Sequence, residues 1–300
     1  MTARPKVSVI VPHALRFSAA DLSAVAGHVE DAGLDGVFVG DHLAAAVPHA
    51  DSTLALAVAA AATTRIRVGF GVMVLALRHP AWAAKQIASL QQLSGNRVIL
   101  GVGLGGAVHG TAAWDAVGVP FQERGARTDA ALGILRGLIS GEPTELPGGS
   151  KLTLAPGAPP PPIWIGGGGA AARRRAAVYG DGWFPSMITP GGLAAGTAHL
   201  AEVCAERGRT EVPTVAVGGS VLLGADPPGS ALDAHIAALV DGYRIPADVA
   251  AKLPLSGSPA AVAERLRSYA DAGARHVVLG LIGGDWRQQC DLLAEAVGLS

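Results

Sequence analysis

Short apolar runs alternate with helix-like segments along almost the whole of this chain, and that alternation restricts its fold more than any other feature. Residues 7–11, 36–40, 66–74, 98–103, 163–165, 182–185, 212–223 and 276–280 read as strands. Most are continuous in Val, Ile and Leu, as expected of strands buried on both faces of a parallel sheet. Helix-like stretches separate them. One opens at Ser18 and closes at Gly33, an Ala-rich one runs from about Asp51, another carries Pro80 in its first turn, and a late one opens at Ser258-Pro259. Eight strand–helix units in 300 residues predict an α/β fold of (β/α)8 barrel type, with a doubly wound open sheet as the alternative. Residues 141–162 and 224–257 are too long for simple connections and are expected as excursions after strands 4 and 7. Residues 1–300 are expected to form one barrel domain.

Composition narrows the partners. Half of the side chains are hydrophobic, which suits a large core, and a net charge of -1 offers no basic face for nucleic acid or anionic lipid. The longest apolar runs, residues 54–62 and 68–77, fall short of a membrane span. Residues 1–6 lead into a strand with no signal-peptide apolar region, so the expected location is cytoplasmic. Cys204 and Cys290 each sit in a helical pattern and suggest neither a disulfide framework nor a metal site.

The densest local motif is Pro161-Pro162-Ile163-Trp164-Ile165 followed by Gly166-Gly167-Gly168-Gly169 and then Ala170 to Arg175. It reads as a buried strand, a bare backbone and a helix start. Unpaired N–H groups in a first helical turn, together with the helix dipole, suit a phosphate. A tight turn with no ligand is the plainer reading. No Gly-Lys-Ser/Thr follows, and the spacing is not that of an early dinucleotide-binding loop.

Reactive groups of such barrels sit on the loops after the strands. Here those loops carry His13, then Asp41-His42, then Arg78-His79, then Gly105-Gly106 and His109, then the glycine run. Each has a plain alternative: Asp41 capping a turn, His79 capping the helix at Pro80, His109 merely exposed. None of Lys6, Lys85, Lys151 and Lys252 stands at a strand end as a Schiff-base lysine would. The first strand ends Pro12-His13-Ala14 rather than His-x-His, against a metal-dependent hydrolase. No Gly-x-Ser-x-Gly elbow is present. What remains is a glycine-lined mouth, a phosphate seat and an Asp-His pair, which fits a bound cofactor that carries the chemistry itself.

Several segments taken together resemble the bacterial luciferase-like oxidoreductases. They are Gly36 to Leu43, Thr63 to Gly69, Leu93 to Gly103, Gly118 to Arg124, Pro162 to Gly167 and Asp181 to Pro185, in that order along the chain. The pattern is most similar to the branch using the deazaflavin coenzyme F420, and much of it is shared with the FMN-dependent branch. The resemblance implies a barrel with the cofactor ring across its C-terminal mouth. It also implies a bulged third strand with a non-prolyl cis peptide, here Gly71-Val72, behind the ring. It assigns Gly103 and Gly105 to the path of the cofactor tail, and Gly167, Gly168 and Gly169 to its phosphate seat. His42 matches a histidine near the reactive ring carbon and is the expected proton donor or acceptor, with Asp41 orienting it or holding the loop.

The chain departs from the family's sugar-phosphate dehydrogenases. Ala46 stands where those place a tryptophan, Gly106 replaces an acidic residue, and no phosphate-gripping lysines are evident. Phe17, Trp114, Trp183, Phe184, Met187 and Tyr243 are candidates for an apolar pocket, or for core. The expectation is hydride transfer between F420 and a small, mostly uncharged organic substrate. The alternatives are an FMN-dependent luciferase-like monooxygenase or reductase, and a cofactor-binding protein without turnover. A homodimer through barrel helices is a further expectation.

Overall fold

A computed structural model describes residues 4–12, 18–44, 48–106, 108, 110–224 and 229–299. Eight parallel strands close on themselves: β1 (Lys6–Ile10), β2 (Gly36–Val39), β3 (Arg67–Val74), β4 (Val98–Gly103), β5 (Ile163–Gly166), β6 (Gly182–Phe184), β7 (Thr214–Leu223) and β8 (His276–Leu281). Each pairs with the next in sequence, and β8 returns to β1 with Lys6 opposite His276. Around them lie α1 (Ala19–Asp31), α2 (Ser52–Ala61), α3 (Pro80–Leu93), α4 (Arg124–Ser140), α5 (Ala170–Tyr179), α6 (Pro190–Ala205), α7 (Pro259–Asp271) and α8 (Trp286–Ala296). The fold is therefore the (β/α)8 barrel, and closure excludes the open sheet. Residues 141–162 form a small antiparallel hairpin, Thr144–Glu145 with Lys151–Leu152. Residues 224–257 contribute the helices Gly229–Tyr243 and Ala247–Ala250, and the strand Leu255–Gly257, which lies beside the end of β7.

Helix starts follow the side chains that satisfy their first N–H groups. Ser18 caps α1, Asp51 accepts from Thr53 and Leu54 at the start of α2, His79 accepts from Ala81 before Pro80, and Ser258 caps α7. Such caps contribute about 1 kcal/mol each. His79 is thus a helix cap.

Burial on both faces explains the strand composition. Outward residues such as Val7, Val9, Val37, Val68, Leu100 and Ile165 pack beneath the helices. Inward residues Phe38, Ile99, Trp164, Phe184, Ala216 and Val278 fill the barrel, with the Phe38 and Trp164 rings stacked at 5.9 Å. Phe38 takes space that Gly69 leaves bare, since a Cβ on Gly69 would stand 2.3 Å from its ring. Deep inside, His276 Nε2 lies 2.7 Å from Ser8 Oγ. Burial, helped by Lys6 and Arg67, pushes the His276 imidazole down to about 3, so it is neutral near pH 7.

Two of the resembling segments sit on the opposite face from the mouth, where they hold the barrel together. The Glu30 carboxylate accepts from the N–H groups of Thr64, Arg65 and Ile66. Burial alone would raise its pKa, but these backbone donors hold it below the usual value. The Arg97 guanidinium donates to the carbonyls of Ala60, Thr63 and Ile66 and to the Thr63 hydroxyl.

Candidate active site at the barrel mouth

The mouth is built on a bulge. β3 shifts register against β4 between Phe70 and Met73, and the Gly71–Val72 peptide within the shift is cis. The half-buried Val72 side chain lies over bare backbone on the next two strands. A Cβ on Gly103 would stand 2.3 Å from Val72 Cγ2, and one on Gly101 or Gly166 would stand 3.0 or 3.3 Å from Val72 Cγ1. Gly103 therefore has a packing reason to lack a side chain. So has Gly105, at φ 69°, where a Cβ would stand 2.9 Å from buried Trp114.

The glycine run after β5 is different. Its carbonyls are taken: Trp183 Nε1 donates to Gly167 O at 2.8 Å, and Arg173 Nη1 donates to Gly168 O at 2.7 Å. Its amides are not. Among the described residues the N–H groups of Gly168, Gly169, Ala170 and Ala171 have no acceptor, and no side chain caps α5. Cβ atoms on Gly168 and Gly169 would meet nothing within 4 Å. No internal packing requires glycine at these two positions, and the open donors fit a phosphate or another anion.

Asp41 follows β2 and is 7% exposed. Its Oδ1 accepts from Ser52 Oγ at 2.8 Å and Arg78 Nη2 at 2.6 Å, and its Oδ2 from Val74 N at 2.9 Å and Arg78 Nη1 at 2.5 Å. The carboxylate thus holds the β2 loop against the end of β3 and the start of α2. Burial would weaken the Arg78 charge, but the Asp41 hydrogen bonds and the nearby Asp51 raise its pKa instead. His42 folds back over the strand end, with Nε2 3.3 Å from where a Gly40 Cβ would lie. Its ring centre is 4.4 Å from that of His49. His42 follows β2 and the open α5 amides follow β5, so both stand at the C-terminal end of the barrel.

The structure reassigns several aromatic candidates. Trp183 is fully buried between barrel and helices, packed on Gly196 of α6, and so pins the glycine run instead of lining a pocket. Trp114 is 3% exposed and lies edge-on to Phe121, and Phe184 belongs to the barrel interior. Met187 and Tyr243 are exposed. His13, Phe17, Ala46 and His109 lie outside the described residues. Arg78, Ser52, His49 and Arg173 are the site residues that reasoning from sequence left without a role. Neighbouring parallel strands bring their C-terminal ends together, so the Arg78–Asp41 pairing had a topological signal. The contacts of Arg173 and His49 had none. No group of three His, Cys, Asp or Glu side chains among the described residues is placed to hold a metal.

Residues 4–244 match the luciferase-like monooxygenase family, and the chain belongs to it. It is 35% identical over 190 residues to an uncharacterised protein of Mycobacterium bovis, covering 59% of this chain and 62% of that one. The chain thus spans under two thirds of that curated relative. It is 36% identical over 144 residues to an F420-dependent hydroxymycolic acid dehydrogenase of Mycobacterium tuberculosis, covering 45% of this chain and 39% of that one. In fold it resembles an F420-dependent secondary alcohol dehydrogenase solved with an F420-acetone adduct, with a TM-score of 0.84, 19% identity and 99% of each chain covered.

Proposed function

We propose that this protein is an oxidoreductase that moves a hydride between coenzyme F420 and a small, mostly uncharged organic substrate. The observation that carries this reading is the contrast within the mouth's glycines. Gly103 and Gly105 accommodate this chain's own side chains, whereas Gly168 and Gly169 face open space beside donors with no partner. Such a cradle fits the charged tail of a phosphorylated cofactor. A relative 36% identical is named for F420 dependence, which favours F420.

In this reading Gly167, Gly168, Gly169 and the first N–H groups of α5 hold the phosphate. Gly103 and Gly105 border the tail, and Gly71 and Val72 on the bulge back the ring. F420, when bound, supplies a ring carbon that gives or takes a hydride. His42 gives or takes the accompanying proton, and Asp41 with Arg78 fixes the loop that carries it. None of the four lysines stands at a strand's C-terminal end, which disfavours an anionic substrate. Exposed Leu54 on α2, with Trp82 and Leu93 on α3, each 69% exposed, favours a homodimer through these helices.

FMN is the second reading, because one phosphate on the same amides serves it equally and the matched family is named for monooxygenases. Titrating the purified protein with each cofactor tests the order. F420 is expected to bind tighter. Tighter FMN binding reverses the reading, and binding of neither overturns it.

A further inference from the structure

Ser220 and His235 form a polar couple at the mouth that the cofactor reading does not use. Ser220 is on β7 with the inward parity of Ala216 and Gly218, and it stands opposite Gly280 of β8, which is opposite Ile10 of β1. All three are half-buried, so this register is the upper rim of the barrel interior. His235 comes from the helix Gly229–Tyr243, and its Nε2 lies 2.9 Å from Ser220 Oγ.

That helix lies across the opening. Near its start, Ala231 Cβ is 3.6 Å from where a Gly283 Cβ would be, beyond β8. At its far end Val108 Cγ2, in the loop after β4, is 3.4 Å from where a Gly242 Cβ would be. Its apolar residues Ile236, Leu239 and Val240 pack with Ala250 and Leu253 in a cluster separate from the main core. His235 is thus held above the interior by a segment with its own small core.

We propose that the Ser220 hydroxyl, poised by His235, is the hydrogen-bonding group that selects an oxygen-bearing substrate, an alcohol or its carbonyl, in the mouth. This rests on the hydride-transfer reading above. An alcohol offers a donor, whereas its carbonyl offers only lone pairs. With the His235 proton on Nδ1, Nε2 accepts from Ser220 and leaves the serine oxygen to accept from an alcohol. With the proton on Nε2, the imidazole donates to the serine oxygen, and its hydroxyl is free to donate to a carbonyl. Burial lowers the His235 pKa and so keeps the ring in the neutral form that this exchange requires. Ser220 binds substrate, and His235 positions it.

The test uses full-length protein with 15N-labelled histidine, with and without F420. The probes are a series of secondary alcohols, the matching ketones, and the alkanes that lack the oxygen. The His235 signals, assigned by their loss in His235→Gln, are expected to move toward the Nδ1–H form with alcohols and the Nε2–H form with ketones. Alkanes should leave them in place. Ser220→Ala should abolish both responses while leaving the F420 dissociation constant within about twofold, and Ser220→Thr should keep them. A response that is the same for alcohols and ketones, absent for both, or retained in Ser220→Ala overturns the proposal. Failure of wild-type protein to bind F420 would sink the cofactor reading instead, while the His235 response stays readable in cofactor-free protein.

Discussion

Asp41 and Arg78 meet through two parallel hydrogen bonds, at 2.5 and 2.6 Å, between the ends of two neighbouring barrel strands. The carboxylate is almost fully buried and the guanidinium is 20% exposed. Removing one member strands the other. Asp41→Asn is expected to lower stability by about 3 kcal/mol in urea unfolding, and to loosen the loop that carries His42. A loss no larger than that of an exposed ion pair would show that Ser52 and Val74 alone hold the loop.

Gly168→Ala separates folding from ligand binding. The added methyl meets nothing, so unfolding free energy should change by no more than about 0.5 kcal/mol. F420 affinity should fall about tenfold, read by cofactor titration. Equal affinity would remove Gly168 from the phosphate seat.

Trp183→Phe deletes the donor to Gly167 O and also withdraws the outer ring atoms, Cζ2, Cζ3 and Cη2, that pack against Gly196. Leaving that carbonyl without its partner should cost about 1–2 kcal/mol. F420 binding should weaken severalfold, because the carbonyl contact sets where the neighbouring amides point. Unaltered binding would mean that Arg173 on Gly168 fixes the run by itself.

His276 sets a pH dependence of stability. Its folded pKa of about 3 lies below the ordinary 6.5, so on acidification the unfolded chain takes up the proton first. Its contribution is complete above pH 6.5 and is lost progressively as the pH falls toward 3. The limiting slope is about 1.4 kcal/mol per pH unit. His276→Gln should flatten the stability curve in that window relative to wild type. Parallel curves would place the acid sensitivity elsewhere.

His42→Ala should reduce hydride transfer by about 10²-fold or more and leave the F420 dissociation constant within about twofold. Stopped-flow absorbance of the cofactor reads the first, and fluorescence titration the second. Unchanged transfer would assign the proton to another group.

The barrel was legible because its signals are local. Runs of Val, Ile and Leu mark strands covered on both sides, and Ser18, Asp51, Pro80 and Ser258 mark helix starts within their own few residues. The open glycine run after β5 was legible for the same reason, as its glycines are consecutive. What stayed hidden depends on which way a side chain points or on distant partners. Trp183 reads equally well as facing in or out, and only the register of β6 turns it toward α6 and Gly167. Ser220 and His235 lie 15 positions apart across an excursion whose path no periodicity specifies. Nothing in the sequence around Gly103 announces that Val72 rests on it.

That last contact has a consequence for how the protein can vary. Val72 is seated on the bare faces of Gly101, Gly103 and Gly166, so three adjoining strands act as a single interlocked block. A methyl group on Gly103 would displace Val72 and, with it, the whole shelf. The floor beneath the opening is thus a part that tolerates little change. Adaptation to new compounds falls to the peripheral segments above it, such as the one bearing His235, whose separate small core allows it to be remodelled without disturbing the block below.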